Sequence, residues 1–256
     1  MIVESVDLEG GKGVFRLVFE APENFEGDSL DVVVLVHGLS SSWKEHSSSL
    51  YLGLADEVLK QGVGVIRFGQ SMSGEVKCFS LESRLVDLKR VFSYLKKRSD
   101  VGRVCLVGHS FGCAVISAGL GFVDDFVDKY VFLAPKIRFG KDYISLDVLK
   151  DKKDLNVFEK WHLDAQTKGW FMFEGEKVDR VFLDHNMKHA DLVFSNSLKI
   201  SKGLVVMVGS KDSLENVREA MLLKEKGDCE FVLVTGADHS FTRFRDYVGE
   251  KISRFD

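Results

Sequence analysis

The chain has 256 residues, of which 45% are hydrophobic and 29% are charged, and its formal net charge is −4. This length suits one large α/β domain with an insertion, and the weak negative charge gives no reason to expect a nucleic-acid partner. No apolar run approaches the length of a membrane-spanning helix, and the first residues lack the pattern of a signal peptide. We therefore expect a cytoplasmic protein with no membrane partner.

The first part of the chain predicts a hairpin followed by strands that alternate with helices. Two strand-like runs, residues 2–8 and 14–20, are separated by a glycine-rich turn. Residues 32–36 are apolar without interruption, which is typical of a strand that is buried on both faces. A helix from about residue 49 to residue 60 and a strand over residues 63–68 continue the alternation.

The next segment predicts an amphipathic helix. Its apolar residues recur at steps of three and four, with Arg84, Asp87 and Arg90 between them: Leu81, Leu85, Leu88, Phe92 and Leu95. This spacing predicts a helix with one buried apolar stripe.

The alternation of strands and helices stops in the middle of the chain and later resumes. A strand over residues 130–134 ends at a proline. The segment that follows is rich in aromatic residues, until a strand over residues 204–208, a helix near residues 213–225 and a strand over residues 229–234 appear. A last helix is predicted to carry Phe241, Phe244, Val248 and Ile252 at helical spacing.

These elements predict an α/β fold with a mainly parallel sheet that is covered by helices on both faces. We assign residues 1–135 and 202–256 to the core of this fold. Residues 136–201 are assigned to an insertion that lies over the sheet as a cap, because no linker-like sequence flanks them.

The segment from residue 104 to residue 114 contains the best candidate for a nucleophile. An apolar run is followed by Gly108-His109-Ser110-Phe111-Gly112 and then by small residues that suit a helix start. A sharp turn from strand to helix exposes the serine hydroxyl, and the flanking glycines allow the two backbones to pass closely. We interpret Ser110 as the nucleophile and His109 as a packing and hydrogen-bonding residue. An ordinary glycine-rich turn would show the same pattern.

A serine nucleophile needs a base and an acid that orients the base. His239 follows the last predicted strand and Asp212 follows the preceding one, so both lie at the edge of the sheet where Ser110 lies. We predict that His239 is the base and Asp212 the orienting acid. The alternatives are a solvated loop histidine and a helix N-cap. Asp238 is a rival acid, but adjacent loop residues rarely form such a pair.

The oxyanion of a tetrahedral intermediate requires two N–H donors, each worth on the order of 3 kcal/mol. The backbone N–H of Phe111 is predicted to supply one of them. The second is predicted to come from Leu39, which follows His37 and Gly38 at the end of the third strand.

Other side chains suggest binding roles. Trp161, Trp170 and Phe171 are predicted to line the substrate pocket, although aromatic residues of a cap also pack it onto the sheet. His185 and His189 have the spacing of two zinc ligands, but a solvated helix face explains them better. We therefore predict no metal site.

The chain resembles the α/β-hydrolase superfamily, and in particular the small serine esterases that include cinnamoyl and feruloyl esterases and monoacylglycerol lipases. The resemblance covers nearly the whole chain, and Ser110, Asp212 and His239 follow the family's order of serine, acid and histidine. It implies an eight-stranded, mostly parallel sheet with a cap after the sixth strand. It also implies hydrolysis of carboxylic esters without a cofactor. The loop after Arg67-Phe68 is shorter than is usual in these esterases, which bears on substrate preference.

We therefore expect a serine carboxylesterase whose partner is a small ester substrate, with a homodimer possible. A thioesterase, an amidase or peptidase, and a C–C hydrolase would use the same three residues, so the sequence does not separate them. A ligand-binding protein that keeps the fold without catalysis is the remaining alternative.

Overall fold

The computed structural model describes residues 2–10, 13–23, 25, 27–38, 50–70, 76–77, 80–138, 160–161, 163–173 and 176–255. Their main feature is an eight-stranded sheet with the order β1-β2-β4-β3-β6-β7-β10-β11. Its strands are β1 (Ile2–Gly10), β2 (Gly13–Ala21), β3 (Leu30–Val36), β4 (Gly64–Gln70), β6 (Val101–His109), β7 (Lys129–Leu133), β10 (Leu204–Gly209) and β11 (Glu230–Val234).

The sheet is antiparallel at one end and parallel elsewhere. The β1–β2 hairpin and the β2–β4 pair are antiparallel, and all the other neighbours run in the same direction. This confirms the predicted eight-stranded, mostly parallel sheet.

Six α-helices have defined bounds in the described part of the chain: α1 (Leu50–Lys60), α2 (Leu81–Leu95), α3 (Phe111–Val123), α4 (Val181–Ser197), α5 (Leu214–Lys226) and α6 (Arg245–Ser253). Side chains alternate along β3, so Val33 and Leu35 pack with α1 and α6 on one face. Val32 and Val34 pack with α2, α3 and α5 on the other face. None of the described helices has both the length and the apolar composition needed to cross a membrane.

The segment between β7 and β10 contributes two strands to a second, smaller sheet of three strands. Its strands are β5 (Val76–Lys77), β8 (Trp170–Phe173) and β9 (Glu176–Asp179), in the order β5-β9-β8. One of its strands therefore comes from the segment between β4 and α2. The assignment of residues 136–201 to a cap remains a prediction, and residues 139–159 lie outside the described residues.

Two expectations from helical periodicity differ from the structure. The buried face of α2 includes Arg84 and Asp87, which are only 8% and 1% exposed, beside the expected leucines. The last helix begins at Arg245, so the prediction that it carries Phe241 and Phe244 is wrong. Phe241 has a backbone φ of 48°, which a helix does not allow.

Candidate active site

Ser110 occupies the tight turn between β6 and α3. Its φ of 53° and ψ of −119° place a non-glycine residue in a strained conformation, which costs on the order of 1–3 kcal/mol. Backbone hydrogen bonds hold it there. The N–H of Ser110 donates to the carbonyl of Leu133 (2.9 Å), and its own carbonyl accepts from Cys113 (3.1 Å) and Lys136 (3.2 Å). The side chain is partly exposed.

The two glycines of the turn are required by close contact between backbones. A Cβ on Gly112 would lie 2.1 Å from the carbonyl oxygen of Val36, and one on Gly108 would lie 2.8 Å from the nitrogen of Cys113. Backbone atoms cannot move away as a flexible side chain can. The structure thus confirms the predicted close passage of strand and helix on both sides of Ser110.

Asp212 and His239 form a direct pair at the carboxyl ends of β10 and β11. Nδ1 of His239 lies 3.0 Å from each carboxylate oxygen of Asp212. The Asp212 side chain is 2% exposed, whereas that of His239 is 40% exposed. A carboxylate accepts hydrogen bonds, so Nδ1 of His239 carries a proton.

Two further donors hold the Asp212 carboxylate. Oδ1 accepts the side-chain N–H of Asn216 (2.8 Å) and the backbone N–H of Ser213 (2.7 Å). Burial by itself raises the pKa of Asp212. The hydrogen bonds from His239, Asn216 and Ser213 outweigh burial, so the pKa is lowered below its ordinary value. Asp212 is therefore held as an anion beside the imidazole.

The alternatives to this pairing have other roles in the structure. Helix α5 is capped by Ser213, whose hydroxyl accepts the N–H of Asn216 (3.3 Å), rather than by Asp212. Asp238 is exposed and accepts the N–H of Thr242 (2.9 Å), four residues further along the chain.

The serine and histidine loops meet through His109. Its Nε2 lies 3.0 Å from the backbone carbonyl of His239, and the centres of the two imidazole rings are 4.7 Å apart. In the described part of the chain, no hydrogen bond joins the Ser110 hydroxyl to the His239 imidazole. The structure thus pairs the acid with the imidazole and brings the hydroxyl to the same edge without joining it to them. Hydrogen bonds of this kind often tighten only when substrate binds.

Of the two predicted oxyanion donors, the structure describes one. Phe111 is the first residue of α3, where the helix dipole favours negative charge. Leu39 lies outside the described residues, and Gly38 is the last residue before it. A Cβ on Gly38 would lie 3.4 Å from Cβ of Ser110, so Gly38 lies directly beside the serine.

A row of aromatic rings connects Phe111 to two of the predicted pocket residues. The ring centre of Phe182 lies 5.7 Å from that of Phe111 and 6.1 Å from that of Phe171, in tilted arrangements, and the ring centre of Trp161 lies 5.5 Å from that of Phe171. Trp170 lies on the opposite face of β8, where Lys168 and Lys177 contact its ring: the Nζ-to-centre distances are 5.5 and 4.8 Å. The structure therefore groups Trp161 with Phe171 and separates Trp170 from them. Phe171 is fully buried.

Sequence reasoning missed several residues of this site. Asn216 lies four residues beyond Asp212, and this spacing brings two side chains together on a helix. The spacing could therefore have indicated that Asn216 contacts Asp212. The Tyr51 hydroxyl lies 2.8 Å from Nδ1 of His109, and Nη1 of Arg84 lies 2.8 Å from Nε2 of His37. Tyr51 and Arg84 have no such signal, because these partners are distant in sequence. In the described ranges, no group of three or more His, Cys, Asp or Glu side chains could hold a metal ion.

Comparison with known proteins identifies the architecture. A family model described as the alpha/beta hydrolase family matches residues 33–248. No curated protein matches the sequence significantly.

Several solved structures share the fold at low sequence identity. Est1E from Butyrivibrio proteoclasticus, with ferulic acid bound, is 16% identical with a TM-score of 0.76, and the match covers 97% of this chain and 96% of that one. An esterase domain of a Rhodothermus marinus protein is 16% identical with a TM-score of 0.66, covering 99% and 97%. A thioesterase domain from the curacin biosynthetic pathway is 13% identical with a TM-score of 0.63, covering 99% and 100%.

Proposed function

The chain belongs to the alpha/beta hydrolase family, and from this premise we propose that it is a serine hydrolase that cleaves carboxylic esters through an acyl-enzyme. The substrate is a small molecule, and the reaction uses only side chains, backbone amides and water. Ser110 is the nucleophile, His239 the general base and Asp212 the orienting acid. Phe111 and Leu39 supply the amides of the oxyanion hole.

The observation that carries this proposal is the pairing of Asp212 with His239 at the edge where Ser110 occupies its strained turn. Both carboxylate oxygens lie 3.0 Å from Nδ1 of His239. The carboxylate fixes a proton on Nδ1, and in the neutral ring Nε2 is then the nitrogen that can accept the serine proton. A histidine with a merely structural role would not need a buried anion behind a half-exposed ring.

The proposed reaction has two stages. The Ser110 oxygen attacks the ester carbonyl carbon while Nε2 of His239 takes its proton, and the negative oxygen of the intermediate is held by the two amides. The C–O bond to the alcohol then breaks, and His239 returns the proton to the leaving alcohol. Water repeats these steps on the acyl-enzyme and releases the acid and Ser110.

The acylation machinery does not distinguish an oxygen ester from a thioester, because only the leaving group differs. The fold is shared with an esterase domain and with a thioesterase domain. We favour oxygen esters as substrates. Esters with an aromatic acyl group are among the substrates that we propose, since ferulic acid is the ligand of one structure with this fold.

The test combines labelling and turnover. A fluorophosphonate probe should label the wild-type chain at Ser110, and the chain should hydrolyse p-nitrophenyl esters of graded acyl length and a feruloyl ester. Ser110→Ala should abolish both properties while the protein remains folded. Ser117→Ala is the matched control, because Ser117 is a buried serine two turns into α3 that bonds to the Cys113 carbonyl. Labelling or turnover that survives in Ser110→Ala would refute the proposal, and a higher kcat/KM for matched thioesters would favour the thioesterase.

A further inference from the structure

Gly38 is held at both of its backbone polar groups by buried side chains. Its N–H donates to the hydroxyl oxygen of Tyr51 at 2.8 Å, and its carbonyl oxygen lies 2.9 Å from Nδ1 of His37. Tyr51 is 4% exposed and His37 is 6% exposed. Because a peptide group is planar, fixing the Gly38 carbonyl also fixes the direction of the peptide bond that follows it.

The direction of each hydrogen bond on the tyrosine side follows from the partners. Nε2 of His109 faces the backbone carbonyl of His239 at 3.0 Å, and a carbonyl can only accept, so Nε2 carries the proton. Nδ1 of His109 must then accept from the Tyr51 hydroxyl at 2.8 Å. The result is an unbroken relay from the Gly38 N–H through Tyr51 and His109 to the His239 carbonyl.

His37, which contacts the carbonyl side of Gly38, is in the opposite tautomer to His109. Nη1 of Arg84 lies 2.8 Å from Nε2 of His37, and a guanidinium can only donate. Nε2 of His37 therefore accepts, and its Nδ1–H donates to the Gly38 carbonyl. Arg84 is the buried charge on α2 that helical periodicity had placed among the polar residues.

Both imidazoles are neutral, which the two tautomers require. Burial and the neighbouring His239 lower the pKa of His109 to about 3. Burial and the Arg84 charge lower the pKa of His37 well below its ordinary value. A protonated ring would place a donor against the Tyr51 hydroxyl hydrogen or against Arg84.

We propose that Tyr51 and His109 are positioning residues that hold the Gly38 backbone in register with the His239 loop. This inference rests on the proposed function, because the loop that begins at Gly38 is the one expected to supply an oxyanion donor. The relay joins Gly38 to the loop carrying the base, and it passes through His109, the residue that precedes Ser110. One chain of hydrogen bonds therefore fixes the position of Gly38 relative to the backbone of His239.

Loss of the relay should slow the chemical step more than it weakens substrate binding. Without the Tyr51 hydroxyl, the Gly38 N–H loses its partner and the loop can shift. A displacement of about 1 Å at such a position costs on the order of 100-fold in rate, and loss of an oxyanion donor costs about 100- to 1,000-fold. We expect Tyr51→Phe to lower kcat at least about tenfold, with KM changed less than about twofold.

The matched control is Tyr130→Phe. Tyr130 is a fully buried tyrosine at the start of β7, away from the site, and its hydroxyl donates to Asp124 at 2.9 Å. Tyr51→Phe removes two buried hydrogen bonds and Tyr130→Phe removes one that is partly buried, so both should lose stability in urea, Tyr51→Phe more than Tyr130→Phe. Only Tyr51→Phe should lose kcat on a p-nitrophenyl ester. Equal kcat in the two variants, with wild-type turnover intact, would overturn the positioning role and leave the proposed function standing.

A second pair of variants covers the case in which Tyr51→Phe does not fold. In His109→Gln the amide offers one donor and one acceptor, so it can keep both bonds of the relay, whereas His109→Leu can keep neither. We expect His109→Gln to retain at least about tenfold more kcat than His109→Leu. Equal losses in the two variants would contradict the proposal.

Histidine tautomers give a readout that does not depend on activity. Long-range ¹⁵N–¹H NMR spectra of the wild-type chain should show the proton of His109 on Nε2 and that of His37 on Nδ1. If the wild type neither hydrolyses esters nor binds the fluorophosphonate probe, the proposed function fails, and these spectra still test the relay. The opposite tautomer at His109 would refute the relay even in an active enzyme.

Discussion

Both carboxylate oxygens of Asp212 lie 3.0 Å from Nδ1 of His239, although 27 residues separate the two in sequence. The buried carboxylate has a second donor in Asn216, so it is held in place even when the imidazole moves. The pair therefore places a proton on Nδ1 of His239 and fixes the orientation of the ring.

Asp212→Asn should leave the fold intact and remove most of the activity. An amide can present its N–H to Nδ1, which stabilises the wrong tautomer and puts the proton on Nε2. We expect kcat for a p-nitrophenyl ester to fall on the order of 10³- to 10⁴-fold. Asp238→Asn is the control, since Asp238 bonds to the Thr242 backbone, and it should keep kcat within about threefold of wild type. Comparable losses in both variants would argue against Asp212 as the orienting acid.

Ser110→Gly should be more stable than Ser110→Ala. At a φ of 53° glycine relieves the strain that alanine keeps, so the free energy of unfolding should differ by about 1 kcal/mol in favour of glycine. Urea unfolding of both inactive variants measures this difference. The same pair of substitutions at Ser117, inside α3, should give the opposite order, because glycine is about 1 kcal/mol worse than alanine in a helix.

Gly112→Ala should prevent correct folding, because its Cβ would lie 2.1 Å from the Val36 carbonyl oxygen. The matched substitution Gly121→Ala lies in the same helix and meets no atom within 4 Å. It should be neutral or raise the free energy of unfolding by about 0.5–1 kcal/mol. Circular dichroism and thermal melts of the two variants make the comparison. A Gly112→Ala protein that melts like wild type would contradict the predicted backbone clash.

Asp87 should make the protein less stable as the pH rises from about 4 to about 6. Burial raises the pKa of Asp87 to about 6 from an ordinary value of 3.8, against the opposing charges of Arg84 and Arg90. The folded state therefore keeps a proton that the unfolded state has released, and unfolding becomes easier as the pH rises through this interval. The effect is at most on the order of 3 kcal/mol.

Asp87→Asn removes the titrating group and should flatten this slope in urea unfolding series between pH 4 and pH 7. Asp100→Asn is a control of opposite sign, because the hydrogen bond from Arg98 lowers the pKa of Asp100. The stability that Asp100 contributes is present above its ordinary pKa and is lost as the pH falls. An unchanged slope in Asp87→Asn would show that Asp87 ionises normally in the folded protein.

The sequence by itself determined the elements of the sheet and the position of the serine turn. Apolar runs and three- to four-residue periodicity depend on neighbours along the chain, so β3, α2 and β6 could be predicted from short segments. The glycines around Ser110 were interpretable for the same reason, since a turn between strand and helix is a local structure. Helical periodicity gave a wrong prediction for Phe241, which precedes the last helix, and for Arg84, which is buried. At both positions the contacts made in the folded protein outweighed the local sequence pattern.

Only the tertiary structure decided which polar side chains meet. Tyr51 and His109 are 58 residues apart, and no spacing rule connects them. The paired imidazole tautomers depend on whether each neighbour donates or accepts, and Arg84 becomes a partner of His37 only when α2 packs against β3. Hydrogen bonds between distant side chains are selected by burial, since a buried polar group without a partner is costly. That cost arises only once the sheet and its helices enclose the groups.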